Sequence, residues 1–269
     1  MTPANFRRIV WAHYKKHGRH DLPWRPPQLK LRRDKTLDVY RVLVSEIMLQ
    51  QTQVDRVVLF YTNFIKQFPT AKKLAAALLS NVLKEWQGLG YNRRAKMLHS
   101  AAKQLAAIPK SPYRTNMVCE LEKLSGVGPY TARAVAAFAY NQDVIVIETN
   151  IRTVIIHHFF PHKKKVSDAE IEKVLTQVLP KGRAREWYSA LMDYGAHLKR
   201  SGISHNAKSK GYAKQSKFAG SLREARGAIL REYTKGVTSH THLINLFGPL
   251  RKVQMKAALK ALLKEGLVT

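Results

Sequence analysis

Apolar residues recur at intervals of three and four along almost the whole chain of 269 residues, which places them on one face of successive α-helices. The predicted helices cover 3–17, 36–51, 53–67, 71–76, 80–86, 92–106, 115–124, 150–160, 167–178, 183–199, 221–234, 239–246 and 250–265. The stretch DVIVIETNI (143–151) is too short to be assigned by its periodicity. The fold class predicted from this pattern is all-α.

The charge of the chain is strongly positive. There are 47 Lys and Arg residues against 18 Asp and Glu, a formal net charge of +29 at pH 7. Such a surplus repels itself in a compact protein, so a polyanion such as nucleic acid is the expected partner. Residues 1–198 carry +17 of this charge and 199–269 carry +12, so we expect both parts to contact nucleic acid.

Several classes of protein are excluded by composition. The single cysteine, Cys119, rules out a disulfide framework and any four-cysteine zinc or iron–sulfur site. The N-terminus lacks the apolar core of a signal peptide, and no stretch reaches the ~20 apolar residues of a membrane helix. The histidine spacing favours no metal site. We therefore expect an intracellular protein, in the cytoplasm or nucleoid, without a membrane partner.

The C-terminal part has a different composition. Residues 200–217 are small, polar and basic, which predicts a linker. Residues 218–269 contain three helical patterns and end in Glu-Gly-Leu-Val, which resembles the end of a winged helix-turn-helix. A small helical module that binds DNA or protein and a plain helical cap on the main domain both fit this pattern.

Glu46 lies within the apolar face of the helix predicted over 36–51, between Leu43 and Leu49. An unpaired carboxylate in an apolar environment is costly, so such a residue is either paired or used in chemistry. Burial also raises the pKa of a carboxyl group, as a general acid at neutral pH requires. From its position alone, Glu46 could form a buried salt bridge or act as a general acid.

Two further segments indicate chemistry. A glycine turn joins two helical patterns in LSGVGPYTARAVAAFAY (124–140), where the backbone could approach a phosphate closely and helix N–H groups could bind it. A purely structural turn is the alternative, but in so basic a chain we favour DNA. Glu148 is the only charge within 144–151, where it could act in catalysis or simply cap the following helix.

Five segments together resemble the MutY-type adenine glycosylases of the helix-hairpin-helix DNA glycosylase superfamily. They are DLPWR (21–25), SEIMLQQTQV (45–54), WQGLGY (86–91), LSGVGPYTARAV (124–135) and ALMDYGA (190–196), in the order and near the spacing of the family. The resemblance implies a two-lobed all-α glycosylase domain over 1–204, with lobe one at 36–140 and lobe two at 1–35 plus 141–204. A basic linker and a small helical module, winged-helix-like or plain, would follow over 205–269.

The resemblance also implies catalytic roles. Glu46 matches the general acid that protonates the ring of an extruded adenine, and Glu148 matches the carboxylate that stabilises the sugar cation. Asn150 matches a polar partner beside that carboxylate. Tyr130 stands where lyase-competent relatives have a Schiff-base lysine, which implies a monofunctional glycosylase.

Further residues match positions that contact the substrate or the DNA. The implied adenine pocket consists of Leu22, Trp24, Arg25 and Asp193. The implied duplex wedge consists of Gln50, Gln51, Thr52 and Tyr91. The implied hairpin consists of Gly126, Val127, Gly128 and Thr131.

The chain departs from the family pattern at four places. Glu148 replaces the usual Asp, the iron–sulfur cysteines that should follow ALMDYGA are missing, and we expect no Nudix-like C-terminal domain. His20 stands in place of an arginine and Asn92 in place of an aromatic residue. We therefore expect an enzyme without metal or cofactor.

The predicted function is removal of adenine mispaired with 8-oxoguanine or guanine, by a monomer that flips the base out of double-stranded DNA. Two alternatives stay open. One is a glycosylase for another base, such as mismatched thymine or uracil, hypoxanthine or a modified base. The other is a protein that binds DNA lesions or junctions without catalysis.

Overall fold

The fold is known from a computed structural model that describes residues 1–26, 37–107, 117–208 and 217–269. These residues form fourteen α-helices and two 3-10 turns, with no β-strand among them. The helices are α1 (Pro3–His17), α2 (Val39–Leu49), α3 (Val54–Gln67), α4 (Ala71–Ala76), α5 (Leu79–Glu85), α6 (Arg93–Ala107), α7 (Met117–Glu122), α8 (Pro129–Tyr140), α9 (Thr149–Phe159), α10 (Asp168–Val178), α11 (Ala184–Arg200), α12 (Leu222–Tyr233), α13 (His240–Asn245) and α14 (Lys252–Lys264). The all-α prediction is confirmed. The first predicted residues of α2 and α7, and residues 209–216 of the predicted linker, lie outside the described residues.

The chain packs into two compact units. Unit 1 comprises Met1–Glu46, Tyr113–Lys123 and Val127–Lys214, and unit 2 comprises Ile47–Pro112, Leu124–Gly126 and Gln215–Thr269. This division differs from the predicted lobes, since α2 up to Glu46 and the helices α7 and α8 all belong to unit 1. Helix α8 belongs to unit 1, because its alanine-rich surface is buried against α7 and α11. The described part of the C-terminal segment, 217–269, is packed into unit 2 and contains no β-wing.

The core of unit 1 is built around the long amphipathic helix α11, which packs against α1, α8 and α9. Trp187 of α11 is fully buried, with the ring of Phe6 from α1 at 6.0 Å. Tyr188 fixes the stretch that the periodicity left unassigned: its hydroxyl donates to the Val144 carbonyl at 2.8 Å and accepts from the Val146 amide at 3.2 Å. That stretch is therefore irregular up to Glu148, and α9 begins at Thr149.

Unit 2 has a separate apolar core. The rings of Phe64 and Trp86 meet edge to face at 5.8 Å between centroids, and α6 packs on α4 and α5 beside them. In the C-terminal segment, α12, α13 and α14 pack on one another around the buried Leu243 and Leu262. None of the described helices is long and apolar enough to cross a membrane.

Candidate active site

Glu46 lies on α2 in unit 1, in the apolar surroundings that the sequence predicted. Its side chain is buried, with 7% of the residue exposed. Burial is the main cause that raises the pKa of this carboxyl to about 7, and the charge of Glu148 adds to the shift. The hydroxyl of Tyr130 and the charge of Arg25 oppose it without cancelling it. Glu46 is therefore protonated in a large fraction of molecules at neutral pH.

Tyr130 lies in the first turn of α8, and its hydroxyl donates a hydrogen bond to the Glu46 carboxylate. Burial raises the pKa of that hydroxyl well above its usual range, and the charges of Glu46 and Glu148 raise it further. The hydroxyl therefore keeps its proton and acts as a neutral donor to Glu46.

Glu148 is the N-cap of α9. Its Oε1 accepts from the backbone N–H groups of Asn150 at 2.7 Å and Ile151 at 2.8 Å, and its Oε2 accepts from the Thr149 hydroxyl at 3.1 Å. These three donors fix the position of the Glu148 carboxylate at the start of α9. The capping interpretation and the catalytic interpretation of Glu148 are therefore compatible, because one carboxylate can cap the helix while its charge acts on Glu46.

A buried ion cluster joins the loop after α1 to α11. Asp193 is 2% exposed and binds Arg25 through both carboxylate oxygens, at 2.7 and 3.0 Å. Arg19 adds its backbone N–H at 2.8 Å and its side chain at 2.7 Å. Burial alone would raise the pKa of Asp193, but the hydrogen bond and charge of Arg25, together with Arg19, lower it. Asp193 therefore holds Arg25 close enough to Glu46 to affect its pKa.

The remaining members of the predicted adenine pocket are Leu22 and Trp24, which lie close to Arg25 in the sequence. Both are buried, at 7% and 9% exposure. The structure thus brings together in unit 1 the two glutamates, Tyr130, Asn150, Arg25 and Asp193. That these residues form the pocket for a base stays a prediction.

Gly195 places α11 directly against the start of α9. A Cβ atom at this position would lie 2.4 Å from the Asn150 carbonyl oxygen and 2.7 Å from its carbonyl carbon. Only glycine therefore permits this close approach of the two helices, and with it the position of the Glu148 cap.

The predicted hairpin has the backbone of a tight turn. Gly126 has φ +77°, and a Cβ atom there would lie 2.6 Å from the Cβ of Met97. Gly128 is the N-cap of α8, a Cβ atom there would meet no atom within 4 Å, and Gly128, Pro129 and Tyr130 are exposed. The side chains of Val127 and Thr131 are buried, so their predicted DNA contacts rest on backbone groups.

In unit 2, one arginine that the sequence analysis missed organises the predicted wedge residues. Arg94 is 8% exposed and donates to the carbonyls of Ile47, Gln50 and Gly90, and to the hydroxyl of Thr52. Its guanidinium also lies 5.4 Å from the ring centre of Tyr91. Arg94 therefore closes the end of α2 and fixes the loops that carry Gln50, Gln51, Thr52 and Tyr91.

Arg19, Arg94 and Gly195 carry no local pattern that distinguishes them in so basic a chain. Arg19 and Arg94 became recognisable only through partners that are 174 and 47 residues away in the sequence. Gly195 does lie within the ALMDYGA segment, and its place in a helix interior was the one available signal, because glycine is unfavourable there.

The residues do not fit the iron–sulfur cluster of the family. The only cysteine, Cys119, lies exposed on α7 and not in the loop after α11. That loop is held by other contacts: His205 lies 3.4 Å from the Nδ1 of His157, and the Val166 amide donates to the Lys208 carbonyl at 2.9 Å.

Known proteins resemble this chain over much of its length. Residues 44–181 match the HhH-GPD superfamily of base excision DNA repair proteins. The adenine DNA glycosylase of Mycolicibacterium smegmatis is 36% identical over 94% of this chain and 89% of its own length. The adenine DNA glycosylase of Buchnera aphidicola is 33% identical over 73% of this chain. The chain spans 53% of that relative, so it covers about half the length of some of the proteins it matches.

Solved structures show the same fold. A thermostable thymine-DNA glycosylase superposes with a TM-score of 0.56 at 24% identity, covering 72% of this chain and 86% of its own. An endonuclease III trapped in a covalent intermediate with DNA gives 0.51 at 18% identity, covering 75% and 87%. The resemblance noted in the sequence is thus confirmed. The chain belongs to the HhH-GPD superfamily of base excision DNA repair proteins.

Proposed function

We propose that this protein is a monofunctional DNA glycosylase that removes adenine mispaired with 8-oxoguanine or guanine. The observation that carries the proposal is the pair of glutamates in unit 1. One is a buried carboxyl with a pKa of about 7, and the other is a carboxylate held in place by hydrogen bonds at a helix N-terminus. An acid and an anion made from one residue type are what the cleavage of an N-glycosidic bond needs.

The acid is Glu46. An adenine that has left the base stack places its ring against this carboxyl, which donates its proton to a ring nitrogen. Protonation lets the base depart with the electron pair of the glycosidic bond. The hydroxyl of Tyr130 then stabilises the Glu46 carboxylate that remains, because it already donates to that group.

The anion is Glu148. As the base departs, positive charge develops on the sugar, and a fixed carboxylate lowers the free energy of that state. Three donors at the start of α9 hold Glu148, so it needs little reorganisation when the charge appears. Water then adds to the sugar carbon and leaves an abasic site.

Two features support hydrolysis without strand cleavage and without iron. Tyr130 at the position of the family's Schiff-base lysine cannot form an imine, so no covalent lyase step is expected. One cysteine cannot supply the ligands of a four-cysteine cluster. We therefore propose a cofactor-free enzyme, and iron analysis of the purified protein should find no stoichiometric iron.

DNA is the proposed partner, bound as a duplex by a monomer. The support comes from the net charge of +29 and from the exposed glycine turn before α8, where the backbone at Gly128 leaves space for a phosphate to approach.

A single panel of duplexes tests the proposal. The protein is incubated with DNA that contains adenine opposite 8-oxoguanine, adenine opposite guanine, thymine opposite guanine, uracil or hypoxanthine, and abasic sites are then cleaved with alkali. We expect strand breaks only after alkali and only at adenine. Breaks without alkali would contradict the monofunctional proposal, and breaks at another base would contradict the adenine specificity.

Glu148 also supports a second candidate, a glycosylase for another base. The side chain is one methylene longer than the aspartate usual in the family, which moves the charge by about an ångström relative to the sugar. The same panel separates the candidates. Tight binding with no cleavage at any base would instead indicate a lesion-binding protein.

A further inference from the structure

The C-terminal segment presents a group of apolar side chains to solvent at the start of α14. Leu250 is 99% exposed and Val253 is 83% exposed, the highest values for any large apolar residue in the described ranges. They are three residues apart, in a 3-10 turn (Pro249–Arg251) and the first turn of α14, so they are neighbours on one face. The ring of Phe247, which is 36% exposed, precedes them. We call Phe247, Leu250 and Val253 the apolar tip.

Folding does not account for the exposure of the apolar tip. Helix α14 packs on α12 and α13 through a different face, on which the buried residues are Met255, Ala258, Leu259 and Leu262. A large apolar side chain that stays in water contributes little to folding, whereas its burial against a second molecule is favourable. Adjoining apolar residues on a surface, with polar residues around them, mark a site that binds another molecule.

The residues around the apolar tip hold it in one conformation. The chain turns at Gly248, whose φ of +72° lies in the region that favours glycine. Arg251 packs its guanidinium on the Phe247 ring, 4.3 Å from the ring centre. The same guanidinium donates to the carboxylate of Glu224 and to the side-chain oxygen of Gln254, each at 2.8 Å. The tip is therefore ordered before it binds, which lowers the conformational entropy that binding would cost.

Cations lie beside the apolar tip. Lys252, Lys256 and Lys260 are exposed on α14 at intervals of four, so they form a lysine row that begins next to Val253. Within the described ranges, none of these three side chains forms an ion pair. The acidic residues of the segment are bound to other cations; they are Glu224, Glu232 and Glu265. The lysine row is therefore open to carboxylates of another molecule.

We propose that the apolar tip and the lysine row form a docking surface for a partner protein that has an apolar groove bordered by carboxylates. The groove takes the side chains of Leu250 and Val253 out of water, and the carboxylates on its rim pair with the lysines. A second copy of this chain does not fit, because residues 199–269 carry +12 and would repel each other. The partner goes beyond the proposed function, since docking requires no base excision.

The exposed apolar side chains favour a protein over DNA or a lipid surface as the occupant. Attraction to phosphates requires the lysines but gives no reason for Leu250 and Val253 to be apolar. A lipid surface binds an amphipathic helix through a large apolar face. Helix α14 buries its large apolar face within the segment and leaves only the narrow tip outside.

Photo-crosslinking identifies the partner. The full chain with p-benzoylphenylalanine in place of Leu250 is irradiated in a nuclease-treated extract of the cells it comes from, and the crosslinked peptides are sequenced by mass spectrometry. We expect peptides from a protein surface on which Asp and Glu surround apolar residues. The control carries the same crosslinker at Leu59, which is 69% exposed on α3, and should not capture that protein. Crosslinks to lipid only, or no product specific to position 250, would overturn the proposal.

The captured protein is then purified, and its affinity for the full chain is measured by calorimetry. Leu250→Gln and Val253→Gln should each weaken the complex by about tenfold or more, whereas Leu59→Gln should bind like the wild type. Because all three side chains are exposed, the melting temperatures of the variants should stay close to that of the wild type. Equal affinities for the three variants would overturn the proposal.

Charge reversal tests the lysine row. Lys256→Glu should weaken the same complex by about tenfold, because it places a carboxylate against the carboxylates of the partner. The control is Lys72→Glu on α4, which reverses an exposed charge outside the row and should leave the affinity nearly unchanged. An equal loss for the two variants would show that only net charge matters, and the lysine row would then have no part in docking.

Binding of an undamaged duplex, followed by fluorescence anisotropy, separates docking from insertion of the tip into DNA. Leu250→Gln should bind the duplex and excise the base like the wild type. Weaker duplex binding by Leu250→Gln, with normal binding by Leu59→Gln, would show that the tip wedges into DNA and would overturn the docking proposal. If no base is excised but Leu250→Gln loses the captured partner, only the proposed enzyme is wrong.

Discussion

At the scale of single residues, Glu46 combines a chemical advantage with a cost in stability. A carboxyl whose pKa is raised from 4.5 to about 7 by folding holds a proton that the unfolded chain has already released in that interval. The free energy of unfolding therefore decreases as the pH rises from 4.5 through 7. At higher pH the total loss is about 3 kcal/mol.

Glu46→Gln should separate these two effects. The amide keeps the shape and can accept from Tyr130, but it cannot donate an acidic proton, so excision should be lost. The same variant should be more stable than the wild type by about 2–3 kcal/mol at pH 8 and nearly equal at pH 4.5. Urea unfolding at the two pH values measures the difference, with Glu172→Gln at an exposed carboxylate as the control. Full excision by Glu46→Gln would contradict the mechanism.

Glu148→Gln tests the second carboxylate while preserving the helix. The amide oxygen can still accept from the Asn150 and Ile151 N–H groups, so the unfolding free energy should change by less than about 1 kcal/mol. Loss of the negative charge should slow excision by about 100-fold or more. Single-turnover assays give the rate, and Glu148→Asp, which keeps the charge, should retain most of it. A wild-type rate for Glu148→Gln would remove Glu148 from the reaction.

How far single residues could be read from the sequence depends on where their partners lie. Glu46 was identifiable because a charge within an apolar helix face is a local anomaly. Arg94 was not identifiable in this way, because its partners include the carbonyl groups of Ile47 and Met48. These carbonyls become partners of Arg94 only once the chain has folded. The left-handed backbone of Gln51 was likewise hidden, because nothing in SEIMLQQTQV requires it.

At the scale of the helices, the position of the Glu148 carboxylate depends on how closely α11 approaches α9. Gly195→Ala should push the start of α9 away, because the new Cβ atom would meet the Asn150 backbone at 2.4–2.7 Å. We expect a loss of about 1–3 kcal/mol in unfolding free energy and a slower excision rate. Thermal melting and single-turnover rates measure the two effects.

Gly227→Ala is the matched control, because it is also a glycine in a helix interior but has open space around it. It should stabilise the protein slightly, by about 0.5–1 kcal/mol. If both alanine variants had the same stability, the proposed contact between α11 and α9 would be wrong.

The helices themselves were largely predictable. The observed ends fall within three residues of the predicted ones, because the periodicity marks the interior of each helix while the ends depend on capping. Helix α2 ends at Leu49 and not at residue 51, since Arg94 binds the carbonyls there. The segment before Glu148 could not be assigned, because its conformation is set by the hydroxyl of Tyr188 on α11.

At the scale of the whole molecule, His158 makes the free energy of unfolding change with pH in the direction opposite to Glu46. Burial lowers the pKa of His158 from 6.5 to about 4, with the charge of His157 contributing. Between these values the unfolded chain binds a proton that the folded chain does not, so the free energy of unfolding decreases as the pH falls from 6.5 to 4.

His158→Phe should therefore reduce the loss of stability in acid by about 1–2 kcal/mol. The phenyl ring can take the place of the imidazole against Phe6, at 5.4 Å between ring centres. Melting temperatures at pH 4.5 and 7 measure the effect, with the exposed His162→Phe as the control. The prediction fails if both variants lose the same stability in acid as the wild type.

The placement of the C-terminal segment shows what the sequence could not predict at this scale. Its charge was evident, and each of its three acidic residues, Glu224, Glu232 and Glu265, is engaged by a cation of the same segment. Its packing with residues 50–97 was not evident, because contacts such as that between Tyr91 and Arg223 span 132 residues and leave no trace in a local pattern.

If Glu148 both caps α9 and acts in the proposed reaction, an evolutionary consequence follows. Folding alone would accept several residues at the start of α9, since Ser, Thr, Asn and Asp all cap helices well. Catalysis accepts only an anion, which leaves Asp and Glu. A substitution at this position must therefore preserve both the helix cap and the negative charge. A lineage that loses the chemistry can still keep the helix. A Ser or Asn at position 148 in a related chain would mark a glycosylase that has become a binding protein without losing its fold.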